Sequence, residues 1–356
     1  MTENVVGGPK ISIAMATYNG ARFLREQLDS FAAQTRLPHE LVVGDDGSTD
    51  DTVAILEEFA PAAPFPVRIY RNPANLGFAD NFLQTAERCE GDWIALSDQD
   101  DVWYPEKLQR IAAGIEQHSG GDLAMVVHQV DLVDGELRPT GRRLPSIRRS
   151  HISPPGSQSA SWFVGGCAMT VRSDLVRDIE WRHRPLDQHA WAHGPGRKLM
   201  AAHDLWLSWL ANSLGSTLLL AEPLGSFRRH DAALTGSHAT AGGERLKMAM
   251  NRGGEAYWAG SRHAEEVASC FRALAQRASD ERRQLLARSA DGFERRALVN
   301  RWRAEFYDLR SAPARIAALA RMVARRAYFG DSFSSVGWRA LLKDTFVSLT
   351  GSGAER

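Results

Sequence analysis

Three aspartates in one short stretch could bind a cation. Asp98, Asp100 and Asp101 occur in "ALSDQDDVW", just after an apolar run that begins at Trp93. Carboxylates repel one another, so a structure that gathers them needs a compensating positive charge. Magnesium and manganese ions take oxygen ligands, commonly one or two carboxylates together with substrate phosphates. The spacing therefore predicts a divalent-cation site that holds a diphosphate, although capping of a helix that starts near Pro105 would account for one of the three.

The elements that must position these residues alternate regularly between strands and helices. Predicted strands cover residues 11–16, 41–45, 67–71, 93–97 and 123–133, and predicted helices cover residues 21–34, 78–89 and 106–118. A further helix follows the second strand, with Ser48 as its predicted N-cap. Nearly continuous apolar strands that alternate with helices predict an α/β, Rossmann-like domain with a mainly parallel sheet covered on both faces.

The carboxyl ends of these strands are all polar. "TYNG" follows the first strand, "DDGSTD" the second, "RNPANLG" the third and "SDQDD" the fourth. Because ligands of parallel sheets bind beyond these ends, Asp45 and Asp46 are expected to share one rim with the three aspartates. An acidic rim indicates a cationic ligand or a bound metal. The alternative for Asp45 and Asp46 is turn formation before a helix.

The second half of the chain changes character. Residues 134–161 are predicted as a long loop, 162–172 as a strand broken by Gly165-Gly166, 203–214 as a helix and 216–230 as two short strands. After a small, polar linker at 233–243, helices are predicted at 244–251, 255–289, 293–309, 314–328 and 338–349. We therefore predict a catalytic domain over residues 1–240 and a helical region over residues 241–356.

Composition excludes several classes of protein. The 356 residues are 44% hydrophobic and 24% charged, with 43 basic and 43 acidic side chains, which is typical of a globular protein rather than a polyelectrolyte binder. Three separated cysteines favour neither a disulfide framework nor a cysteine-based zinc site. No signal-peptide pattern and no apolar run of membrane-spanning length occurs, so a cytoplasmic location is expected. A Walker loop, a dinucleotide fingerprint and a Gly-x-Ser-x-Gly motif are all absent from the sequence.

Seven segments between about residues 11 and 230 resemble, in order, the family-2 glycosyltransferases. They are "ISIAMATYNG", "LVVGDDGSTDDT", "NPANLGFADNF", "SDQDDVWYPEKL", "GGCAMTVRSDL", "HDLWL" and "RRH". The resemblance implies the GT-A fold and a nucleotide-sugar donor. The form "SDQDDVW" is similar to bacterial enzymes that build rhamnose-containing cell-surface polysaccharides, which implies dTDP-rhamnose as the first candidate donor and UDP-hexoses as the next.

The resemblance also implies a set of donor-binding residues. Thr17, Tyr18 and Asn19 would line the nucleotide pocket, Asp46 would accept a hydrogen bond from a pyrimidine N–H, and Asn75 and Gly77 would shape the nucleotide loop. Asp98 would approach the ribose or the metal, and Gly166 would let backbone lie close to the donor sugar or the acceptor. The alternative for Asn75 and Gly77 is a plain turn, and for the glycine pair a bulge.

Further residues are implied to bind the metal or to do the chemistry. Asp100 would be the principal ligand of Mn²⁺ or Mg²⁺ and His230 a second ligand, whereas Asp101 would cap a helix or contact the donor sugar. Asp204 would be the general base, although capping of its helix is the alternative. The family commonly has Glu-Asp at this place and this chain has His203-Asp204, so His203 is left as an orienting neighbour or a bystander.

The resemblance implies an inverting single displacement, in contrast to the two carboxylates of glycoside hydrolysis. Arg228 and Arg229 either contact the pyrophosphate or are solvated. The alternative function is a non-catalytic nucleotide- or carbohydrate-binding protein on the same fold; a pyrophosphorylase would need a glycine-rich triphosphate loop where "ATYNGARF" stands.

The C-terminal region is locally basic. Residues 281–326 contain twelve arginines and five acidic residues, interleaved with apolar side chains. A basic amphipathic helix can lie on an anionic membrane surface, which would suit a lipid-linked glycan acceptor. The alternatives are a solvated face packed on the catalytic domain or a homodimer contact. No recognition motif supports binding of nucleic acid.

Overall fold

The structure is a computed structural model that describes residues 7–162, 164–186, 200–230, 253–331 and 333–350. The chain divides into two compact units. The sheet unit contains described residues 7–155, 164–182 and 202–230, and the helical unit contains 156–162, 183–186, 200–201 and those after 252. The predicted domain boundary at residue 240 lies outside the described residues and stays a prediction.

The sheet unit alternates strands and helices in its first half. Its elements are β1 (Ile11–Thr17), α1 (Ala21–Ala32), β2 (Glu40–Asp45), α2 (Thr52–Phe59), β3 (Val67–Arg71), α3 (Phe78–Glu87), β4 (Trp93–Ser97), β5 (Val102–Trp103), α4 (Lys107–Gln117) and β6 (Leu123–Val133). These are followed by β7 (Pro139–Leu144), β8 (His151–Ser153), β9 (Met169–Arg172), α5 (Asp174–Arg177), α6 (His203–Leu214) and β10 (Ser216–Arg228).

One mixed sheet has the strand order β3-β2-β1-β4-β9-β6-β10-β5, with β7 beside β6 and β8 beside β10. Strands β3, β2, β1 and β4 are mutually parallel, as are β6 and β10, whereas β9 pairs antiparallel with β4 and β6. Every residue of β2 and β4 is buried, as expected for strands covered on both faces. The predicted α/β class is confirmed, and the carboxyl ends of β1, β2 and β4 share one edge.

Several sequence predictions in this unit are wrong in detail. Residues 134–161 are not all loop, because β7 and β8 form there; β7 is exposed along its whole length and so has no apolar alternation. The two short strands predicted at 216–230 are one strand with register shifts around Pro223. Ser48 is not an N-cap, because α2 begins after Asp51 and the Ser48 hydroxyl donates to Asp45 instead.

The helical unit contains α7 (Gly254–Arg277), α8 (Asp280–Asp308), α9 (Ala312–Ala324) and α10 (Gly337–Thr350). The predicted break near residue 291 is wrong: α8 continues through Gly292, where a Cβ would lie 2.5 Å from the ring of Phe333. The break falls instead between Arg277 and Asp280. The helix predicted at 244–251 lies outside the described residues.

A buried ion pair fixes α10 within this unit. The carboxylate of Asp344 accepts hydrogen bonds from Nε and Nη2 of Arg303, both at 2.8 Å, and from the hydroxyls of Tyr307 (2.8 Å) and Tyr328 (2.7 Å). Asp344 is buried, and its four hydrogen bonds compensate for the burial of its charge. Among the helices that the structure describes, none combines the length and the apolar character needed to cross a membrane.

Candidate active site

The acidic loop lies at the carboxyl end of β4, where the sequence predicts it. Asp98 and Asp100 are half-buried and Asp101 is buried. The helix-capping alternative is wrong for all three, since β5 intervenes before α4 and the N-cap of α4, Glu106, makes no side-chain capping bond. The carboxylates of Asp100 and Asp101 are held by tertiary contacts with the end of β10 rather than by the start of a helix.

The two predicted metal ligands meet although they are 130 residues apart in the chain. His230, which follows β10, has Nε2 2.8 Å from Oδ2 of Asp100. Both side chains are mostly buried, with exposures of 10% and 19%, yet both reach solvent. The imidazole also packs against the ring of Phe23 on α1, with centroids 4.6 Å apart. This packing fixes the imidazole with Nε2 facing the carboxylate.

Arg228 contacts the backbone next to this pair. Its Nε donates to the carbonyl of Asp100 at 2.8 Å and its Nη1 to the carbonyl of Gly135 at 2.8 Å. Its Nη2 forms an ion pair with Glu26, and its guanidinium lies 4.4 Å above the ring of Phe23. Neither alternative offered for Arg228 describes this arrangement, because the side chain is only 2% exposed and its donors are directed at protein groups. Its role is to attach the acidic loop to the end of β10.

Asp101 also takes a different place from the predicted helix cap, whereas nothing among the described residues contradicts the two alternatives for the half-buried Arg229. Asp101 does not cap a helix; its Oδ1 accepts the backbone N–H of Arg228 at 3.0 Å. The guanidinium of Arg229 lies 5.4 Å from the ring centroid of Phe227. Asp101 is thus part of the junction between the acidic loop and β10, whereas the contact of Arg229 leaves both of its alternatives open.

The charges of the loop are partly balanced by a buried lysine. Lys107 is buried; its Nζ donates to the carbonyl of Cys167 at 3.1 Å and lies 3.6 Å above the ring of Trp103. Burial lowers the pKa of Lys107 to about 7, against the opposing effect of Asp101 and Asp98. A cationic Lys107 would stabilise the acidic loop from within the protein, in the way that a bound metal would from the solvent side.

Electrostatics also place Asp204 near the acidic loop. Burial, followed by the charges of Asp100 and Asp204, raises the pKa of Asp98 to about 7. Asp204 is in the first turn of α6, and the N-cap of that helix is Ala202, which makes no side-chain capping bond. The Oδ1 of Asp204 accepts the backbone N–H of Leu205 at 2.7 Å, so Asp204 binds a free N–H of the first turn without being the N-cap, and capping stays an alternative to the role as base. Its role as base stays a prediction, with its carboxylate close enough to Asp98 to repel it.

Two sets of side chains among the described residues could hold a cation. Asp98, Asp101 and Cys167 have ligand atoms within 4.8 Å of one another. Burial, with the charges of Asp101 and Asp98, raises the pKa of the Cys167 thiol well above its usual range, so this set offers a neutral sulfur that hard cations disfavour.

The pair of Asp100 and His230 fits a hard cation better. Adjacent ligand atoms of an octahedral Mg²⁺ or Mn²⁺ lie about 3 Å apart when each is about 2.1 Å from the ion. The 2.8 Å between Nε2 and Oδ2 matches that separation. The buried Nδ1 of His230 has no hydrogen-bond partner among the described residues. The polar contact of the imidazole with a described residue is therefore the one from Nε2 to Asp100.

The predicted nucleotide residues lie at the ends of β1 and β2. Thr17 donates its hydroxyl to Oδ1 of Asp45 at 3.1 Å, and Tyr18 is exposed. Asn19 has φ +47° and its Oδ1 accepts the N–H of Thr49 at 2.8 Å. Gln99, within the acidic loop, accepts the N–H of Tyr18 at 2.9 Å and donates to its carbonyl at 3.0 Å. The end of β1 and the acidic loop are therefore directly joined.

The two aspartates at the end of β2 make different contacts. Asp45 forms the turn, accepting from the N–H groups of Gly47 and Ser48 at 3.2 and 3.0 Å. Asp46 binds the loop that contains Asn75 and Gly77. Its carboxylate accepts from Asn72 Nδ2 (2.9 Å) and from the backbone of Leu76 and Gly77 (both 2.8 Å), while its carbonyl accepts from Asn75 Nδ2 at 3.0 Å. A pyrimidine N–H would have to share this carboxylate with the loop.

The remaining predicted residues, His203 and Gly166, lie at the start of α6 and next to it. His203 is buried and its ring stacks on that of Phe82 at 4.1 Å. A Cβ on Gly166 would lie 2.8 Å from Nε2 of His203, so the glycine is explained by this close approach to the histidine. Gly166 lies in a 3₁₀ turn over Gly166–Ala168. Contact of Gly166 with a donor sugar stays a prediction.

Sequence reasoning missed four residues of the site: Phe23, Glu26, Gln99 and Lys107. Lys107 could have been found from the sequence, because it lies at helical spacing from Ile111 and Ile115 on the apolar face of α4. A lysine on the buried face of a helix is expected to be buried too. Glu26 gives no such signal, because its partner Arg228 is 202 residues away.

The strand order and the acidic loop beyond β4 are the features of a glycosyltransferase domain of the GT-A type. The profile of the family described as Glycosyl transferase family 2 matches residues 12–177. The chain thus carries a domain that belongs to glycosyltransferase family 2, and the predicted family and enzyme class are confirmed for this domain.

Similar proteins agree with this assignment. An uncharacterized glycosyltransferase of Nostoc sp. is 29% identical over 231 residues, which are 63% of this chain and 66% of the relative. The putative glycosyltransferase EpsE of Bacillus subtilis is 32% identical over 174 residues, 49% of this chain and 60% of the relative. The dTDP-rhamnosyl transferase RfbG of Shigella flexneri is 37% identical over 99 residues, 27% of this chain and 34% of the relative.

The first two of these relatives are therefore matched over less than two thirds of their length, and the third over about one third. Among solved structures, residues 1–349 of S. aureus TarS in complex with UDP-GlcNAc have a similar fold. The TM-score is 0.53 at 17% identity, and the similarity covers 88% of this chain and 80% of TarS 1–349. At that identity the likeness concerns the fold, and it supports the predicted Rossmann-like GT-A architecture with C-terminal helices.

Proposed function

We propose that this protein is a divalent-cation-dependent, inverting glycosyltransferase that moves a sugar from a nucleoside-diphosphate donor to a hydroxyl of a cell-surface glycan such as O-antigen or capsule. The observation that carries the proposal is the 2.8 Å contact between Asp100 and His230. These residues come from two distant segments, and they offer an oxygen and a nitrogen ligand at one solvent-reachable point. Mn²⁺ or Mg²⁺ held there would neutralise charge on the departing diphosphate.

The chain's own residues would then do the rest of the reaction. Asp204 takes the proton of the acceptor hydroxyl as that oxygen forms its bond to the anomeric carbon. The bond between the anomeric carbon and the diphosphate oxygen breaks in the same step, so the configuration inverts. Asp98 and the end of β1 hold the nucleotide, and Arg228 keeps the backbone of Asp100 in place. One carboxylate base suffices, because the diphosphate leaves without a proton.

The donor is proposed in order of preference. dTDP-rhamnose comes first, supported by the partial similarity to the rhamnosyl transferase of Shigella flexneri. A UDP-hexose comes second, supported by the fold similarity to TarS, whose complex contains UDP-GlcNAc. The acceptor is proposed to be a growing glycan, carried on a lipid or free.

Calorimetric titration tests the donor site. dTDP, UDP and GDP are titrated with and without MnCl₂ into wild type, Asp100→Ala and the control Asp29→Ala, which removes an exposed carboxylate on α1. We expect one pyrimidine nucleotide to bind, to require Mn²⁺, and to lose at least tenfold in affinity in Asp100→Ala alone. Equal binding with and without Mn²⁺ would exclude the proposed cation site.

A second experiment separates the enzyme from a non-catalytic binding protein. With the donor so identified, Asp204→Asn should retain nucleotide affinity within about twofold and lose at least a hundredfold in sugar transfer to a glycan acceptor. Unchanged transfer would refute Asp204 as base. Nucleotide binding by wild type with neither transfer to an acceptor nor donor hydrolysis would favour the binding protein.

A further inference from the structure

The last helix of the helical unit exposes several large apolar side chains, although Val347 and two polar side chains of the same helix are buried. In a helix of a water-soluble unit, the apolar stripe normally faces the core. In α10 the buried positions include Asp344 and Ser348, with exposures of 0% and 1%. The large apolar side chains Trp338, Leu342, Phe346 and Leu349 face outward, with exposures of 58%, 60%, 48% and 69%.

These four outward residues form one stripe. Their spacing of four, four and three residues places them on the same side of an α-helix. The buried Asp344 fixes the rotation of the helix, because four hydrogen bonds from Arg303, Tyr307 and Tyr328 hold its carboxylate. Turning the stripe inward would break all four bonds. The outward direction of the stripe is thus enforced by the core of the unit.

The preceding helix also exposes apolar side chains, and exposed basic residues lie near them in the sequence. Ile316 and Val323 on α9, and Phe329 after it, are exposed. The exposed charged residues between Leu309 and Thr350 are five arginines and a single aspartate, namely Arg310, Arg321, Arg325, Arg326, Arg339 and Asp331. We define the apolar–basic surface as the outward faces of α9 and α10 with these arginines.

We propose that the apolar–basic surface binds the surface of an anionic lipid bilayer. Exposed Trp, Phe and Leu side chains on helices that also expose arginines are a combination that inserts shallowly between lipid headgroups while basic groups contact anionic ones. A second copy of this chain would be the other occupant of an apolar face, but five exposed arginines on each copy would then repel across the contact. The charge of the surface therefore favours an anionic partner over a copy of itself.

Vesicle co-sedimentation of the full chain tests the proposal. Vesicles of phosphatidylcholine alone are compared with vesicles that contain 30% phosphatidylglycerol, at about 0.1 M and 0.5 M NaCl. We expect binding to the anionic vesicles, at least fivefold weaker binding to the neutral ones, and weaker binding at the higher salt concentration. Absence of sedimentation with anionic vesicles at 0.1 M NaCl would overturn the proposal.

Matched variants locate the contact. Leu342→Ser/Phe346→Ser should weaken binding about tenfold or more, because two outward apolar side chains are lost. Arg321→Gln/Arg325→Gln should reduce the preference for anionic vesicles. Leu37→Ser, which changes an exposed leucine of the sheet unit, should bind as wild type does.

Two results would contradict the assignment. Equal binding by Leu342→Ser/Phe346→Ser and wild type would place the lipid contact elsewhere. A wild-type dimer that the same substitutions convert to a monomer, without vesicle binding, would show that the face is covered by a second copy. Neither readout involves nucleotide or sugar transfer, so the outcome is independent of the proposed enzymatic function.

Discussion

Replacing Arg228 with methionine should loosen the candidate metal site without touching a proposed ligand. The variant Arg228→Met keeps an unbranched apolar stem and removes every donor of the guanidinium. The carbonyls of Asp100 and Gly135, both in half-buried residues, then lose bonds of 2.8 Å from a charged group. Each buried acceptor left without a donor costs about 1–3 kcal/mol.

The lost ion pair adds little to this cost. Glu26 is 54% exposed and regains water when Arg228 is removed, so its contribution is small. We therefore expect the free energy of unfolding to fall by about 2–4 kcal/mol. For a unit of about 150–250 residues each kcal/mol corresponds to about 2–4 °C in Tm, so Tm of the sheet unit should fall by about 4–16 °C.

The control is Glu26→Gln, which keeps an oxygen that can accept from Arg228. It should lose less than about 1 kcal/mol, measured by urea unfolding alongside Arg228→Met. The two variants should also differ in function: Mn²⁺-dependent nucleotide affinity should fall about tenfold or more in Arg228→Met, since the backbone of Asp100 is no longer fixed. The reasoning fails if the two variants unfold alike, or if a folded Arg228→Met binds nucleotide and Mn²⁺ as wild type does.

Two further substitutions test the packing of each unit. Asp344→Asn leaves the buried guanidinium of Arg303 without its counter-charge, so the free energy of unfolding in urea should fall by about 3–5 kcal/mol. The control Glu305→Gln changes an exposed residue and should lower it by less than about 0.5 kcal/mol. Equal effects of the two variants would contradict the buried ion pair. Burial alone would raise the pKa of Glu40, but bonds from a backbone amide, a hydroxyl and Arg68 outweigh it and lower the pKa below the ordinary value of a glutamate. A carboxyl whose pKa is lower in the folded state than in the unfolded state stabilises the fold at pH values above its unfolded pKa. Glu40→Gln should therefore lower the free energy of unfolding by about 1–3 kcal/mol above about pH 5, and this loss should shrink as the pH falls through the folded pKa. A loss that does not change between about pH 3 and pH 7 would contradict this.

The sequence predicts best those features that depend on local pattern. β1, β4 and α6 fall within a residue of their predicted bounds, because each has a clear apolar period and a polar end. β7 escaped prediction because its stability comes from pairing with β6 rather than from burial of its own side chains.

The site divides in the same way. The rim of aspartates could be predicted because parallel strands end at one edge. The pairing of Asp100 with His230 came from the resemblance to a family, since nothing local to either residue indicates the other. The burial of Arg228 could not be predicted, because its partners Glu26 and Asp100 lie more than a hundred residues away.

The distance in sequence between Asp100 and His230 has a thermodynamic consequence. The pair forms only when β10 has joined the sheet, so a ligand that bridges the two side chains binds the complete fold and not a partly assembled one. Such a ligand adds about 2.7 kcal/mol to the free energy of unfolding at a hundredfold excess over its Kd. Thermal melting in panels of cations and nucleotides therefore reports occupancy of this pair directly, before any acceptor glycan has been identified.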